Sequence, residues 1–209
     1  MTQGIIRLAK AEDEVSIRRL QMLFSTEIDD PFGIMENSFE HSYFAVFEIE
    51  NNCKKSIVGM VSLLRAYSKP FIFEQIFPDI WDRFNLQKLT GYFDITRDNL
   101  LEGDWAYLEK PYRGKALVGA LWAALLVYAY HQGYKISFTV NNQKSINMIN
   151  KIGPNLYKLI GLSSHVGNDH YNLMMFDLPT IQDKLYNFIK TLRREEPGII
   201  WQLPMDCRE

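Results

Sequence analysis

The chain has 209 residues, 47% of them hydrophobic and 23% charged, with a formal net charge of −2. That is enough chain, of ordinary globular composition, to bury one sizeable core. No long run of Lys or Arg occurs, which leaves electrostatic binding to nucleic acid or to an anionic membrane without support.

The two cysteines, Cys53 and Cys207, match no metal-ligand or redox spacing, so a cytoplasmic protein without a metal is expected. Residues 1–10 lack the apolar stretch of a signal peptide. The longest uncharged run, Ala116 to Tyr130, is fifteen residues. It falls short of the ~20 needed to span a bilayer and reads as a largely buried helix.

In chain order, Ile5, Ile6 and Leu8 form a short opening strand. Glu12 and Asp13 start a helix whose apolar positions Val15, Ile17, Leu20, Leu23 and Phe24 recur near helical spacing. Asp29, Asp30, Pro31 and Gly33 break it. Tyr43–Ile49 and Ser56–Leu64 read as a hairpin around the polar turn 50–55. Residues 67–100 are aromatic without a clean period, which suggests an insertion of one or two short helices. Such a segment is expected to be a lid or substrate wall, or else extra core or a dimer contact. From there the pattern predicts a strand over 102–108, a helix from about Gly114 to His131 closed by Gly133, a strand over 136–140 and a helix over 142–152. A hairpin follows, Tyr157–Val166 and Tyr171–Leu178 around Gly167-Asn168-Asp169. An amphipathic helix over 181–194 carries Leu185, Phe188, Ile189 and Leu192 on one face. The tail from Pro197 reads as a surface extension.

The string from Leu108 through Glu109, Lys110, Pro111, Tyr112, Arg113, Gly114 and Lys115 to Ala116 lies between a predicted strand and a predicted helix. A tight turn there aims backbone N–H groups outward at the positive end of the helix dipole, a site suited to a pyrophosphate. Arg113 and Lys115 add charge.

This element order, with Pro111-Tyr112-Arg113-Gly114-Lys115 and the spacing of Asn142, Ser145, Ile149 and Gly153, resembles the GNAT N-acetyltransferase superfamily over residues 4–178. The resemblance implies an α/β (α+β) fold. It would have a mixed sheet of about seven strands flanked by helices, an aromatic insertion between the third and fourth strands, and a C-terminal helix and tail over 179–209. It also implies acetyl-CoA or another acyl-CoA as co-substrate, held along the wedge where the fourth and fifth strands splay. Backbone groups of Leu108, Glu109 and Lys110 would pair with pantetheine. The N–H groups of Arg113, Gly114, Lys115, Ala116, Leu117 and Val118 would hold the pyrophosphate, and Asn142, with Ser145 one helical turn on, would lie near the thiol.

Four positions depart from the family pattern. Ala116 and Val118 replace the usual small pair, with Ala116 expected to take helical dihedrals. Ile149 stands where the family often has a tyrosine, and Ser145 replaces an alanine. For catalysis, alternation places Glu102 and Asp104 on one strand face with Ala106 and Leu108, near the family's general base. Tyr157 or Tyr171 would be the acid, or no side chain at all, since a thiolate leaves without much help. His170 and His165 read as turn histidines, and His41 and His131 as element ends. The expected function is acyl transfer from coenzyme A to a primary amine of a small molecule or a protein, by a possible homodimer. One alternative is a long-chain N-acyl amino acid or autoinducer-type synthase fed by acyl-carrier protein. Another is a coenzyme-binding module that has lost catalysis.

Overall fold

The structure, a computed structural model, describes residues 3–28, 39–114, 116–153, 155–166 and 169–202. The expected loop at Asp29–Gly33, Lys115, and the Gly167-Asn168 part of the last hairpin lie outside them. Strands β1 (Gln3–Leu8), β2 (Ser42–Asn51), β3 (Lys54–Arg65), β4 (Leu101–Leu108), β5 (Ile136–Asn142), β6 (Lys158–Val166), β7 (Asp169–Asp177) and β8 (Ile199–Gln202) build one sheet. Their order is β6-β7-β5-β4-β3-β2-β1-β8. The expectation of about seven strands is corrected to eight. Residues 199–202 do not form a loose surface extension, because they pair in parallel with β1.

Helix α1 (Glu14–Ile28) follows a 3₁₀ turn at Ala11–Asp13 and packs on β3 and β4. The insertion forms three α-helices rather than one or two, α2 (Ile72–Ile76), α3 (Ile80–Arg83) and α4 (Leu86–Thr90). Each is four or five residues long, too short for a helical period to be visible in sequence. Its aromatics are mainly core. Phe71, Phe73, Phe77, Ile80 and Leu100 are buried against Leu64, Phe138, Leu173 and Met175. Glu74 ties the insertion together, accepting from the Trp81 indole at 2.9 Å and from Arg97 Nε at 2.9 Å.

On the opposite face lie α5 (Leu117–His131) and α7 (Leu178–Glu195), which pack together, with α5 also against β2, β3 and β4. The uncharged run is therefore a core helix, with ten buried residues. Helix α6 (Gln143–Asn150) follows β5 directly. No helix among the described residues is long and apolar enough to cross a membrane.

Two irregularities shape the middle of the sheet. Opposite β3, the register shifts between Val61, which faces Ala106, and Leu63, which faces Gly103, so β4 bulges at Asp104-Trp105. The Trp105 N–H turns to Ser62 Oγ at 3.0 Å. On its other edge β4 pairs with β5 in parallel only from Leu101 to Gly103. Beyond Gly103 the two strands separate while β5 continues to Asn142.

Candidate active site

The gap between β4 and β5 opens into a cleft of about 1280 Å³, lined by β4 from Glu102 to Leu108, by β5 residues, and by the starts of α5 and α6. The bulge corrects the expected alternation along β4. Ala106 and Leu108 pack with the α5-side core, whereas Trp105 and Tyr107 pack with the α1-side core. Glu102 faces the insertion on that second side. Its Oε2 accepts from the Ile72 N–H at 2.7 Å and its Oε1 from the Phe73 N–H at 2.8 Å. The extra residue at the bulge resets the period, so Glu102 does not share a face with Ala106 and Leu108.

Glu102 is 1% exposed. Burial pushes its carboxyl well above the ordinary carboxylate range and nearby Asp104 adds to this, while the two backbone donors act the other way. Asp104, half-buried, lines the cleft beside it. Both carboxylates therefore reach the point where β4 and β5 part. Tyr157 lies elsewhere. Its hydroxyl donates to Asn150 Oδ1 at 3.0 Å, its ring packs near Phe176, and it is not part of the cleft wall. Tyr171 and His170 do line the cleft, the latter 4.8 Å from His165 across the β6–β7 pair.

At the start of α5, Gly114 has φ 95° and Ala116 φ 53°, ψ 9°. Ala116 is thus left-handed rather than helical, a conformation that costs an L-residue roughly 1 kcal/mol and that glycine takes freely. It is the N-cap of α5 and makes no side-chain cap bond, and the first helical bond is Ala120 N–H to Ala116 C=O at 2.9 Å. The N–H groups of Leu117, Val118 and Gly119 consequently have no partner within the helix. Gly114, Ala116, Leu117, Val118 and Gly119 all line the cleft.

Arg113 is arranged differently. Its N–H donates to Lys110 C=O at 3.3 Å and its Nε to Leu108 C=O at 2.7 Å. Glu109 gives its N–H to Val58 C=O at 2.8 Å and takes the Tyr112 N–H at 2.9 Å. Leu108 lines the cleft, but Glu109 and Lys110 do not. The free edge of β4 that faces the gap runs instead from Asp104 to Leu108.

Across the gap, Asn142 caps α6, its Oδ1 accepting from the Ser145 N–H at 3.1 Å. Ser145 and the buried Ile149 line the wall below it. Sequence reading missed Phe24, Glu27, Trp105, Tyr107 and Trp122, all on the cleft wall. The one hint was Glu27 near the C-terminus of α1, where the helix dipole disfavours an acid.

A mixed sheet whose two central parallel strands splay beneath an uncapped helix start is the GNAT fold. Solved structures bear this out. The chain is similar to the CoA-dependent acyl-homoserine lactone synthase BjaI, solved with SAM and isopentyl-CoA. That match has a TM-score of 0.63 and 13% identity, over 96% of this chain and 94% of that one. The acyl-homoserine lactone synthase LasI gives 0.64 and 14%, over 90% and 96%. An N-acetyltransferase from Lactobacillus plantarum gives 0.54 and 13%, over 85% and 98%. At such identities the likeness establishes the fold. No family model matches the sequence, and no curated protein matches it significantly.

Proposed function

We propose that the protein transfers an acyl group, acetyl in the simplest case, from coenzyme A to a primary amine. The observation that carries this reading is the cleft itself. One end presents the unpaired N–H groups at the start of α5, and the other presents two carboxylates where β4 and β5 part. The first end suits a pyrophosphate, held by Gly114, Ala116, Leu117 and Val118 and helped by Lys115. The edge of β4 up to Leu108 suits an extended pantetheine arm.

In this reaction the amine nitrogen attacks the thioester carbonyl carbon, the C–S bond breaks, and the ammonium's proton leaves to a base. Glu102 or Asp104 is placed to take it, directly or through a water. Burial raises the affinity of Glu102 for a proton, while its two oxygens accept from the N–H groups of Ile72 and Phe73. Tyr171 is closer to hand than Tyr157 as a donor to the departing thiolate. Positioning supplies most of the acceleration such a reaction needs.

A longer acyl chain is the second reading, favoured by the end-to-end likeness to the lactone synthases. Apolar wall on the α5 side of the cleft comes from Trp122, Leu126, Phe176 and Phe188, on α5, β7 and α7. The insertion contributes only Ile72 to it.

Acetyl-CoA at saturation is expected to raise the melting temperature, and a panel of amines is expected to release free thiol from acetyl-CoA or a longer acyl-CoA. No melting shift with any acyl-CoA would reject the coenzyme site. Binding without thiol release across the panel would favour a module that has lost catalysis.

A further inference from the structure

Arg113 is the one cation of the phosphate turn whose side chain the structure describes, and simple electrostatics would assign it to the coenzyme's phosphates. Its geometry points elsewhere. Nη1 and Nη2 form a fork to Glu27 Oε1 and Oε2 at 2.6 and 2.8 Å, and Nε holds Leu108 C=O at 2.7 Å. The guanidinium lies 5.3 Å from the centre of the Tyr107 ring, and the Tyr107 hydroxyl reaches Glu27 Oε2 at 3.4 Å. Each guanidinium nitrogen therefore already donates. The group ties the last turn of α1, remote in sequence, to the end of β4 and to the adjoining turn that carries Gly114 and Ala116.

We infer that Arg113 is a positioning residue that fixes the Gly114–Ala116 turn for the pyrophosphate, with Glu27 as its necessary counter-group. The proposal rests on the coenzyme reading of the cleft. A bidentate arginine–carboxylate pair gives direction as well as attraction, and here the direction matters. The turn holds a strained left-handed alanine and no side-chain cap, so few bonds of its own define its shape. Phosphate recognition by backbone N–H groups depends on their aim. The bracket from Glu27 and Leu108 supplies it.

The two roles predict opposite signs for one substitution. Were Arg113 a phosphate ligand held in reserve, Glu27→Gln would release its charge, remove a nearby anion, and tighten coenzyme A. In the positioning role the same change loosens the turn and weakens coenzyme A.

The test is calorimetric titration of coenzyme A, and of pantetheine, which has no pyrophosphate, into wild type, Glu27→Gln, Arg113→Gln and the double variant. Each single change is expected to weaken coenzyme A about tenfold, the size of one lost charge-assisted hydrogen bond, and the double variant to be no worse. Pantetheine binding should stay within about twofold of wild type in all of them, and Glu27→Asp should recover part of the loss. Unchanged or tighter coenzyme A binding by Glu27→Gln overturns the proposal. So does an equal loss for both ligands, which would mean a purely structural bridge. If wild type binds pantetheine but gains nothing from the nucleotide half of coenzyme A, the phosphate site falls and the positioning role with it. If wild type binds neither, the coenzyme reading of the cleft fails as a whole.

Discussion

Helices α5 and α6 begin on opposite walls of the same cleft, yet their first turns are treated in opposite ways. Asn142 satisfies the start of α6 with its own side chain. Ala116, at the equivalent place on α5, offers nothing, and its left-handed backbone opens the turn toward the cleft. A helix start left without a cap usually costs about 1 kcal/mol. In this chain the omission coincides with two positive-φ residues, Gly114 and Ala116, and with an ion pair from another helix that braces the turn. On the proposed reading of the cleft, the difference separates a helix start that serves the fold from one kept open for an anion.

The strongest way to break that contrast is to give α5 the cap it lacks. Ala116→Asp fits the left-handed backbone better than most residues and places a carboxylate among the free N–H groups. Coenzyme A affinity is expected to fall by roughly 100-fold through occupied donors and like-charge repulsion, with the melting temperature held or raised. An unchanged dissociation constant in calorimetry would show that the α5 start is not the phosphate site. The matching change on the other wall, Asn142→Ala, is expected to cost about 1 kcal/mol of stability in denaturant titration. A loss of coenzyme affinity without a loss of stability would reverse that assignment and make Asn142 a ligand contact.

How far the sequence foretold these features depends on how local their causes are. The β2–β3 hairpin, the α5 core helix and its stop at Gly133 follow from residue patterns a few positions long. The cleft could be located because the turn and the Asn142 cap are local too. Non-local features were not legible. Glu27 meets Arg113 from 86 positions away, and the bulge at Asp104-Trp105 exists only because β3 has one residue fewer opposite it. The bulge is why alternation put Glu102 on the wrong face. Tyr157 was selected for residue type alone, and the β6 entry carries it away from the gap to Asn150. Strand β8 is four residues long, and pairing with β1 defines it rather than its own pattern.

A smaller effect sharpens the same comparison. Ala116→Gly relieves the left-handed strain but adds freedom to the unfolded chain, so the net gain is expected to be about 0.5 kcal/mol or less. Thermal unfolding would show it as a rise of a degree or two. A clear loss would mean that the alanine methyl makes a contact worth more than the strain.

The most delicate prediction concerns the two glutamates, which sit at opposite ends of the cleft and respond to pH in opposite senses. Glu27 is exposed, and chiefly its hydrogen bond from Arg113 lowers its pKa from 4.5 to about 2. A group lowered on folding stabilises the native state above its unfolded value and loses that contribution as pH falls through the folded one. The melting-temperature difference between wild type and Glu27→Gln should therefore be level above pH 4.5 and shrink as pH drops toward 2. Solvent screening keeps it small. Glu102 is the reverse case. Burial raises its pKa, so the native state holds a proton that the unfolded chain has released. Its favourable contribution is present below the ordinary carboxylate value and is lost as pH rises through the raised one. Relative to Glu102→Gln, wild type should lose stability as pH climbs out of the carboxylate range. A flat difference would mean that the N–H groups of Ile72 and Phe73 outweigh burial and keep Glu102 charged across the range.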